Sequence, residues 1–206
     1  MDIENYDFGD KSNYGFVDAI TISNDEAKKE FVLAYGHMLN YNHEEAIACF
    51  TKCADLDPNC AMAWWGIAYC VSSNYNWTPG LGSGYDPIQK AISLMEGCSE
   101  MERDLIEALS KRHSKEARDG ADPSVLNMGN SAELNEAFAE AMAPLYEKYE
   151  GNLDVTSIYV EALMNLNAWQ LWNKDTKSGE ITPADENTLL LVRILEDAFE
   201  SSPDAK

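Results

Sequence analysis

Residues 57–69 read DPNCAMAWWGIAY, and this stretch decides the fold. Asp57-Pro58 ends the helix before it, because proline removes a backbone donor and clashes with a preceding helical turn. The apolar run after it predicts a helix from about Cys60 to Ser72. Upstream, Ser23 or Asn24 supplies a capping residue, and the spacing predicts a helix from there to about Leu39 and a second from His43 to Leu56.

The same pattern stands 34 residues earlier in the chain. At this offset Phe31 aligns with Trp65, Leu33 with Ile67, Ala34 with Ala68 and Tyr35 with Tyr69. Small residues carry most weight in this comparison, because only a small side chain lets the two helices of a hairpin approach closely. The offset therefore predicts a repeat of helix pairs over residues 25–73.

The spacing within each pair identifies the kind of repeat. Ala46, Phe50, Cys53 and Pro58 stand at the A-x3-F-x2-small-x4-P spacing of a second helix, and Trp64, Ile67 and Ala68 stand at the W-x2-L-G spacing of a first helix. The chain thus resembles a tetratricopeptide repeat protein. The resemblance implies an all-α, helix–turn–helix solenoid that winds as a right-handed superhelix.

The remaining chain is divided around this repeat. We expect an irregular arm over residues 1–23 and one helical domain over 24–206, with an insertion loop at 74–85 and divergent helical pairs over 86–202. Eight helices and no strand are expected, with a polar turn at 173–180. Ser99-Glu100-Met101-Glu102 predicts a capping box.

A narrower resemblance rests on residues 41–46 (YNHEEA), 57–68 and 74–76 (NYN), and on a later signature at 161–166 (EALMNL) and 169–172 (WQLW). These are similar to a family of larger microbial tetratricopeptide proteins of unknown function. The family resemblance implies that this chain is an N-terminal fragment or a shortened member, without the histidine-containing second half. It carries over no catalytic residue.

A binding groove is the first candidate site. In a tetratricopeptide array the first helix of each pair lines the concave face, and here that helix is rich in aromatic residues and methionine, as suits an apolar peptide. The alternative is that the chain's own arm or later helices cover this face. The groove residues are Phe31, Tyr35, Met38, Met62, Trp65 and Tyr69.

Two further segments invite a ligand or a metal. His43 with Asn42, together with His37 and the Cys49/Cys53 pair, suggests ligands, but capping and core packing are the favoured explanation. The loop that contains Asn74, Tyr75, Asn76 and Trp77 suggests a small-molecule site, or aromatic rings that pin the loop to the helices. We predict no metal ligand set, no catalytic residue and no cofactor.

Composition restricts the partners. The net charge is −21, from 36 acidic and 15 basic residues, which disfavours nucleic acid and anionic membranes. The five cysteines form no CxxC pair, and no signal peptide is evident, so a cytoplasmic location is expected. The sequence favours a protein- or peptide-binding scaffold of unknown oligomeric state. The alternative is a metal- or small-molecule-dependent enzyme that uses the His43 and Asn74–Trp77 region.

Overall fold

The chain is mostly helical, and its helices pack in sequence order. The structure, a computed structural model, describes Phe16 and residues 19–76, 83–119 and 128–202, without the side chains of residues 118, 119 and 128–131. Within these residues the α-helices are α1 (Asp25–Leu39), α2 (His43–Leu56), α3 (Ala61–Val71), α4 (Tyr85–Ser93), α5 (Glu100–Ser110), α6 (Lys115–Asp119), α7 (Met128–Lys148), α8 (Leu153–Met164) and α9 (Glu186–Ser201). Short 3₁₀ helices cover Met95–Gly97 and Asn165–Asn167.

The chain forms two compact units. The first contains residues 1–72 and 79–126, and the second contains residues 73–78 and 127–206. Helices α1 to α6 belong to the first unit, whereas α7 to α9 belong to the second. The predicted boundaries of arm, repeat and insertion stay a prediction.

Local capping groups set the helix ends of the first unit. Asn24 accepts hydrogen bonds from the backbone of Glu26 and Ala27 at the start of α1. Ser99 and Glu102 form the predicted capping box of α5. Such contacts satisfy backbone donors that a helix start leaves without partners, so they depend on sequence neighbours alone.

The turn between α1 and α2 has an uncommon backbone. Tyr41 N donates to Met38 O and Asn42 N donates to His37 O, the paired bonds of a Schellman motif. Glycine usually occupies the left-handed position of this motif, but here Tyr41 takes it, with a φ of 60°. The aromatic ring compensates by stacking on His43, with 5.7 Å between ring centroids.

Helices α2 and α3 approach closely where a glycine replaces a side chain. A Cβ placed on Gly66 would lie 2.4 Å from the Phe50 ring. Alanine at position 66 would therefore push this ring out of the core. Ala34, Ala46, Cys53 and Ala68, the small residues of the predicted repeat, are all buried.

The second unit contains a β-hairpin, so the expectation of no strand is wrong. Strand β1 (Trp172–Lys174) pairs antiparallel with β2 (Ile181–Pro183), in the register Trp172 to Pro183 and Asn173 to Thr182. The polar turn expected at 173–180 includes part of β1. Asp175 Oδ1 accepts from the backbone of Lys177 and Ser178, and Gly179 has a φ of 76°, which closes the connecting turn.

The predicted third helix, from about Cys60 to Ser72, is one residue shorter at each end in the structure, as α3. Helix α8 ends at Met164, and Asn152 caps its start. Helix α5 ends at Ser110, and the short helix α6 follows it. Pro144 lies inside α7 and does not split it. None of the described helices is long and apolar enough to span a lipid bilayer.

Candidate functional site

The predicted groove lies in the core of the first unit. All six of its residues are buried. Trp65 packs on Tyr69 with 5.3 Å between ring centroids and the rings tilted by 32°, and Phe31 meets Phe50 edge-on at 5.3 Å. This burial is the arrangement expected if the chain covers its own face, while the binding role of the six residues stays a prediction.

Phe16 covers the centre of this face. Its ring centroid lies 5.2 Å from that of Tyr35 and 6.2 Å from that of Trp65, and its side chain is buried. Helix α5 also contributes, since Trp65 Nε1 donates to the backbone oxygen of Leu105 at 3.2 Å. The face is therefore closed by an aromatic ring from upstream and by a helix from downstream.

Two carboxylates fasten the segment that follows Phe16. Glu102 accepts from the backbone and hydroxyl of Thr21 at 2.8 and 2.7 Å, while also accepting from Ser99 N. Asp57 accepts from the backbone and hydroxyl of Ser23 at 2.7 and 2.8 Å. We call residues 19–23 the strap. Both carboxylates are buried, so the strap supplies donors that would otherwise be missing.

These contacts keep Asp57 ionised. Burial disfavours its charged form, but hydrogen bonds from Ser23 and from the backbone of Asn59 outweigh that effect and hold the pKa of Asp57 below its usual value. Asp57 also follows α2 directly, so its backbone N–H donates to Cys53 O at the end of the helix while its side chain fixes the strap.

The structure places Asn42 and His43 at the start of α2. Asn42 occupies the cap position without a side-chain capping bond. His43 is buried, and its Nδ1 lies 3.0 Å from the Cys70 carbonyl oxygen. His43 thereby joins the start of α2 to the end of α3, which is a packing role. His37 is also buried.

The 74–77 segment is described only in part. Asn74 is buried, and its Oδ1 accepts from Asn76 N at 2.9 Å, which makes a tight local turn. Tyr75 stacks on Trp169, with ring centroids 5.4 Å apart. Trp77 lies outside the described residues. An aromatic contact that pins the segment is thus present at Tyr75, within the second unit.

The cysteines of the first unit are buried free thiols. Burial raises the pKa of Cys49, and it raises that of Cys98 to about 11, whereas a hydrogen bond from Cys53 lowers the pKa of Cys60. Protonated thiols are poor metal ligands and poor nucleophiles. Among the described residues, no three His, Cys, Asp or Glu side chains lie close enough together to hold a metal ion.

One Ser–His contact was not predicted from the sequence. Ser72 Oγ lies 3.1 Å from His113 Nε2, but it also donates to Ala68 O at 2.8 Å. A hydroxyl has one proton, so a serine that donates to the carbonyl can only accept from the histidine, which is opposite to nucleophile activation. Burial and the nearby Arg112 lower the pKa of His113 to about 3. The contact braces α3 and is not a nucleophile–base pair.

The sequence also did not predict a set of exposed apolar residues in the second unit. Trp169, Trp172 and Ile181 are 71, 51 and 62% exposed. Trp169 has a φ of 62°, an uncommon conformation for a bulky residue. The sequence shows that these three apolar residues lie within thirteen positions of the chain. It does not show that they are exposed, because their exposure depends on a hairpin that was not predicted.

Comparison with protein-family models, with curated proteins and with solved structures gives no match to this chain.

Proposed function

We propose that this chain is a tetratricopeptide-type interaction scaffold that binds an apolar segment of a partner protein on the face formed by α1 and α3. One observation carries the proposal: an aromatic ring, Phe16, already sits between Tyr35 and Trp65. A face that accepts a phenylalanine from its own chain has the shape and polarity to accept one from another protein.

The repeat spacing supports the same function. The small residues that let paired helices approach are buried at the expected positions in α1, α2 and α3, and Phe50 closes over Gly66. A partner would replace Phe16 and take over the contacts of the strap. The partner's segment would then combine an aromatic residue with hydroxyl or backbone donors for Glu102 and Asp57.

A synthetic peptide of residues 10–23 tests the proposal directly. We expect the labelled peptide to bind the full chain carrying Phe16→Ala, measured by fluorescence anisotropy, and to bind the unmodified chain about tenfold more weakly because its own Phe16 competes. A peptide carrying Phe16→Ala is the matched control and is expected not to bind.

Phe16→Leu provides the stability control, since it keeps most of the buried apolar volume. If the folded Phe16→Ala chain, judged by far-UV circular dichroism, binds both peptides equally or neither of them, the face is only a core. If it binds the Phe16 peptide selectively, a displayed library of random peptides on the same variant would define the preferred partner sequence.

A further inference from the structure

The edges of the β-hairpin in the second unit are not equivalent. Asp175 N donates to Glu180 O, and Ala184 N donates to Leu171 O. Hydrogen-bonded pairs alternate along an antiparallel ladder, so Asn173 and Thr182 form the pair between them. The N–H and C=O groups of Trp172 and Lys174 therefore face away from β2, and those of Ile181 face away from β1.

The outer edge of β2 is blocked and that of β1 is open. Pro183 has no N–H, so β2 cannot offer a donor at that position, and proline is a common protector of exposed strand edges. Strand β1 has no proline, and the sheet contains only these two strands in the described part of the chain. A further strand can thus pair on one side only, along Trp172 to Lys174.

One face of the hairpin is apolar and exposed. Side chains alternate along a strand, and Trp172 pairs with Pro183 while Lys174 pairs with Ile181, so these four share a face. Trp172 is 51% and Ile181 62% exposed. The opposite face carries Asn173 and Thr182, both exposed and polar. An added strand would extend the apolar face if its own side chains alternated between apolar and polar.

Charge determines which kind of segment can pair with the open edge of β1. Two copies of a chain with a net charge of −21 repel each other, which disfavours pairing of β1 with a second copy. Lys174 and Lys177 balance Asp175 and Glu180 within the hairpin, but residues 127–206 as a whole carry 15 acidic and 5 basic side chains. Backbone hydrogen bonds from Ser178 and Lys177 lower the pKa of Asp175 in the hairpin turn, and a backbone hydrogen bond from Thr188 lowers the pKa of Asp185, which lies just beyond β2. The favoured occupant is therefore a basic segment.

We infer that the β1 edge is a docking site for an extended, basic segment of another protein, which adds as a third strand with apolar residues over Trp172 and Ile181. This site belongs to the second unit, and it does not depend on the proposed function of the α1–α3 face. Strand addition of this kind takes affinity from main-chain hydrogen bonds and specificity from alternate side chains.

The test uses the full chain and three labelled hexapeptides, with binding followed by fluorescence anisotropy at low salt. The first alternates lysine and valine, the second has the same composition in two blocks (three lysines, then three valines), and the third alternates glutamate and valine. We expect the alternating basic peptide to bind about tenfold more tightly than the block peptide, and the acidic peptide not to bind.

Two variants of one position separate edge pairing from simple charge attraction. Lys174→Pro removes an outward N–H and is expected to lower the affinity for the alternating basic peptide by about tenfold or more. Lys174→Glu leaves the backbone intact and is expected to raise the affinity for this peptide, because the substitution removes a charge of the same sign as the peptide's. Thr182→Ala, on the polar face, is the matched control and is expected to change affinity by less than about twofold.

Three results would overturn the inference. The first is equal binding of the alternating and block peptides, which would indicate charge attraction alone. The second is no binding of either basic peptide to the unmodified chain. The third is a dimer in analytical ultracentrifugation that Lys174→Pro dissociates, which would assign the edge to a second copy of the chain.

Discussion

Tyr41 and Trp169 share a rare backbone conformation but have different surroundings. Both are bulky aromatic residues with a φ near 60°, where glycine is usual, and both stack on a neighbouring ring. Tyr41 is 36% exposed, and its partner His43 is buried and contacts Cys70 O. Trp169 is 71% exposed, and it stacks on Tyr75.

The contrast extends to the two units that contain them. In the first unit, aromatic residues such as Trp65 and Phe16 fill the core, and even the predicted groove is closed. In the second unit, Trp169 and Trp172 remain at the surface. The tryptophan at the centre of the first unit thus stabilises the fold, whereas Trp169 and Trp172 of the second unit are accessible for contacts, although Phe138 and Tyr159 of that unit are buried.

The largest expected effect is the difference in stability between removing a tryptophan from the first unit and removing one from the second. Trp65→Ala is expected to lower the free energy of unfolding by about 3–5 kcal/mol, because it leaves a cavity and removes the bond to Leu105. Trp172→Ala is expected to change the free energy of unfolding by less than about 0.5 kcal/mol.

Urea denaturation followed by far-UV circular dichroism measures both variants. A similar loss of stability in the two would show that Trp172 is also part of a core, and the contrast between the units would fail. Thr182→Ala serves as a control for substitution within the hairpin, since its side chain is exposed.

An intermediate effect is expected from acid, through His113 in the first unit. The ring packs on Gly84, where a Cβ would lie 2.1 Å from it, and its pKa falls from an ordinary 6.5 to about 3. The unfolded chain therefore binds a proton that the folded chain excludes. The contribution of His113 to the free energy of unfolding is fully present above pH 6.5. It is lost as the pH falls towards 3, by up to about 1.4 kcal/mol per pH unit.

His113→Gln isolates that contribution, because it removes the titrating group and leaves every carboxylate in place. We expect urea midpoints of the unmodified chain to fall more steeply than those of the variant between pH 6 and pH 4. Parallel curves would mean that His113 binds a proton in the folded chain as readily as in the unfolded one.

The smallest expected effect is a difference between Tyr41→Gly and Trp169→Gly. Both variants relieve a left-handed backbone, by about 1–2 kcal/mol, and both add the same flexibility to the unfolded chain. Tyr41→Gly also loses a stack on a buried ring, so we expect it to be less stable than Trp169→Gly by about 0.5–1 kcal/mol. Thermal unfolding of the pair measures this difference, and the reverse order would show that Trp169 is the more important structural contact.

Features fixed by sequence neighbours were predictable. Asn24, the Ser99–Glu102 box and Asp57-Pro58 each act within a few positions of where they stand, and α2 has the predicted bounds His43–Leu56. The hairpin was missed because its strands have three residues each, too few for an alternating pattern to stand out.

The closed face could not be predicted, because it depends on distant contacts. Trp65 meets Leu105 at a separation of 40 residues, and Thr21 meets Glu102 at a separation of 81. Repeat spacing identifies which residues face one another in α1 and α3, but it carries no information about what lies upon them. The choice between groove and core was therefore open in the sequence.

Glu102 also sets an order of events during synthesis. Ribosomes add about 5–20 residues per second, so the 81 residues between Thr21 and Glu102 take about 4–16 seconds to appear. Helix α3 is complete at Val71, 31 residues before Glu102, an interval of about 2–6 seconds. For those seconds the nascent chain presents Tyr35 and Trp65 without the Glu102 anchor of the strap and without Leu105 of α5, which makes this face a target for cellular chaperones at that stage.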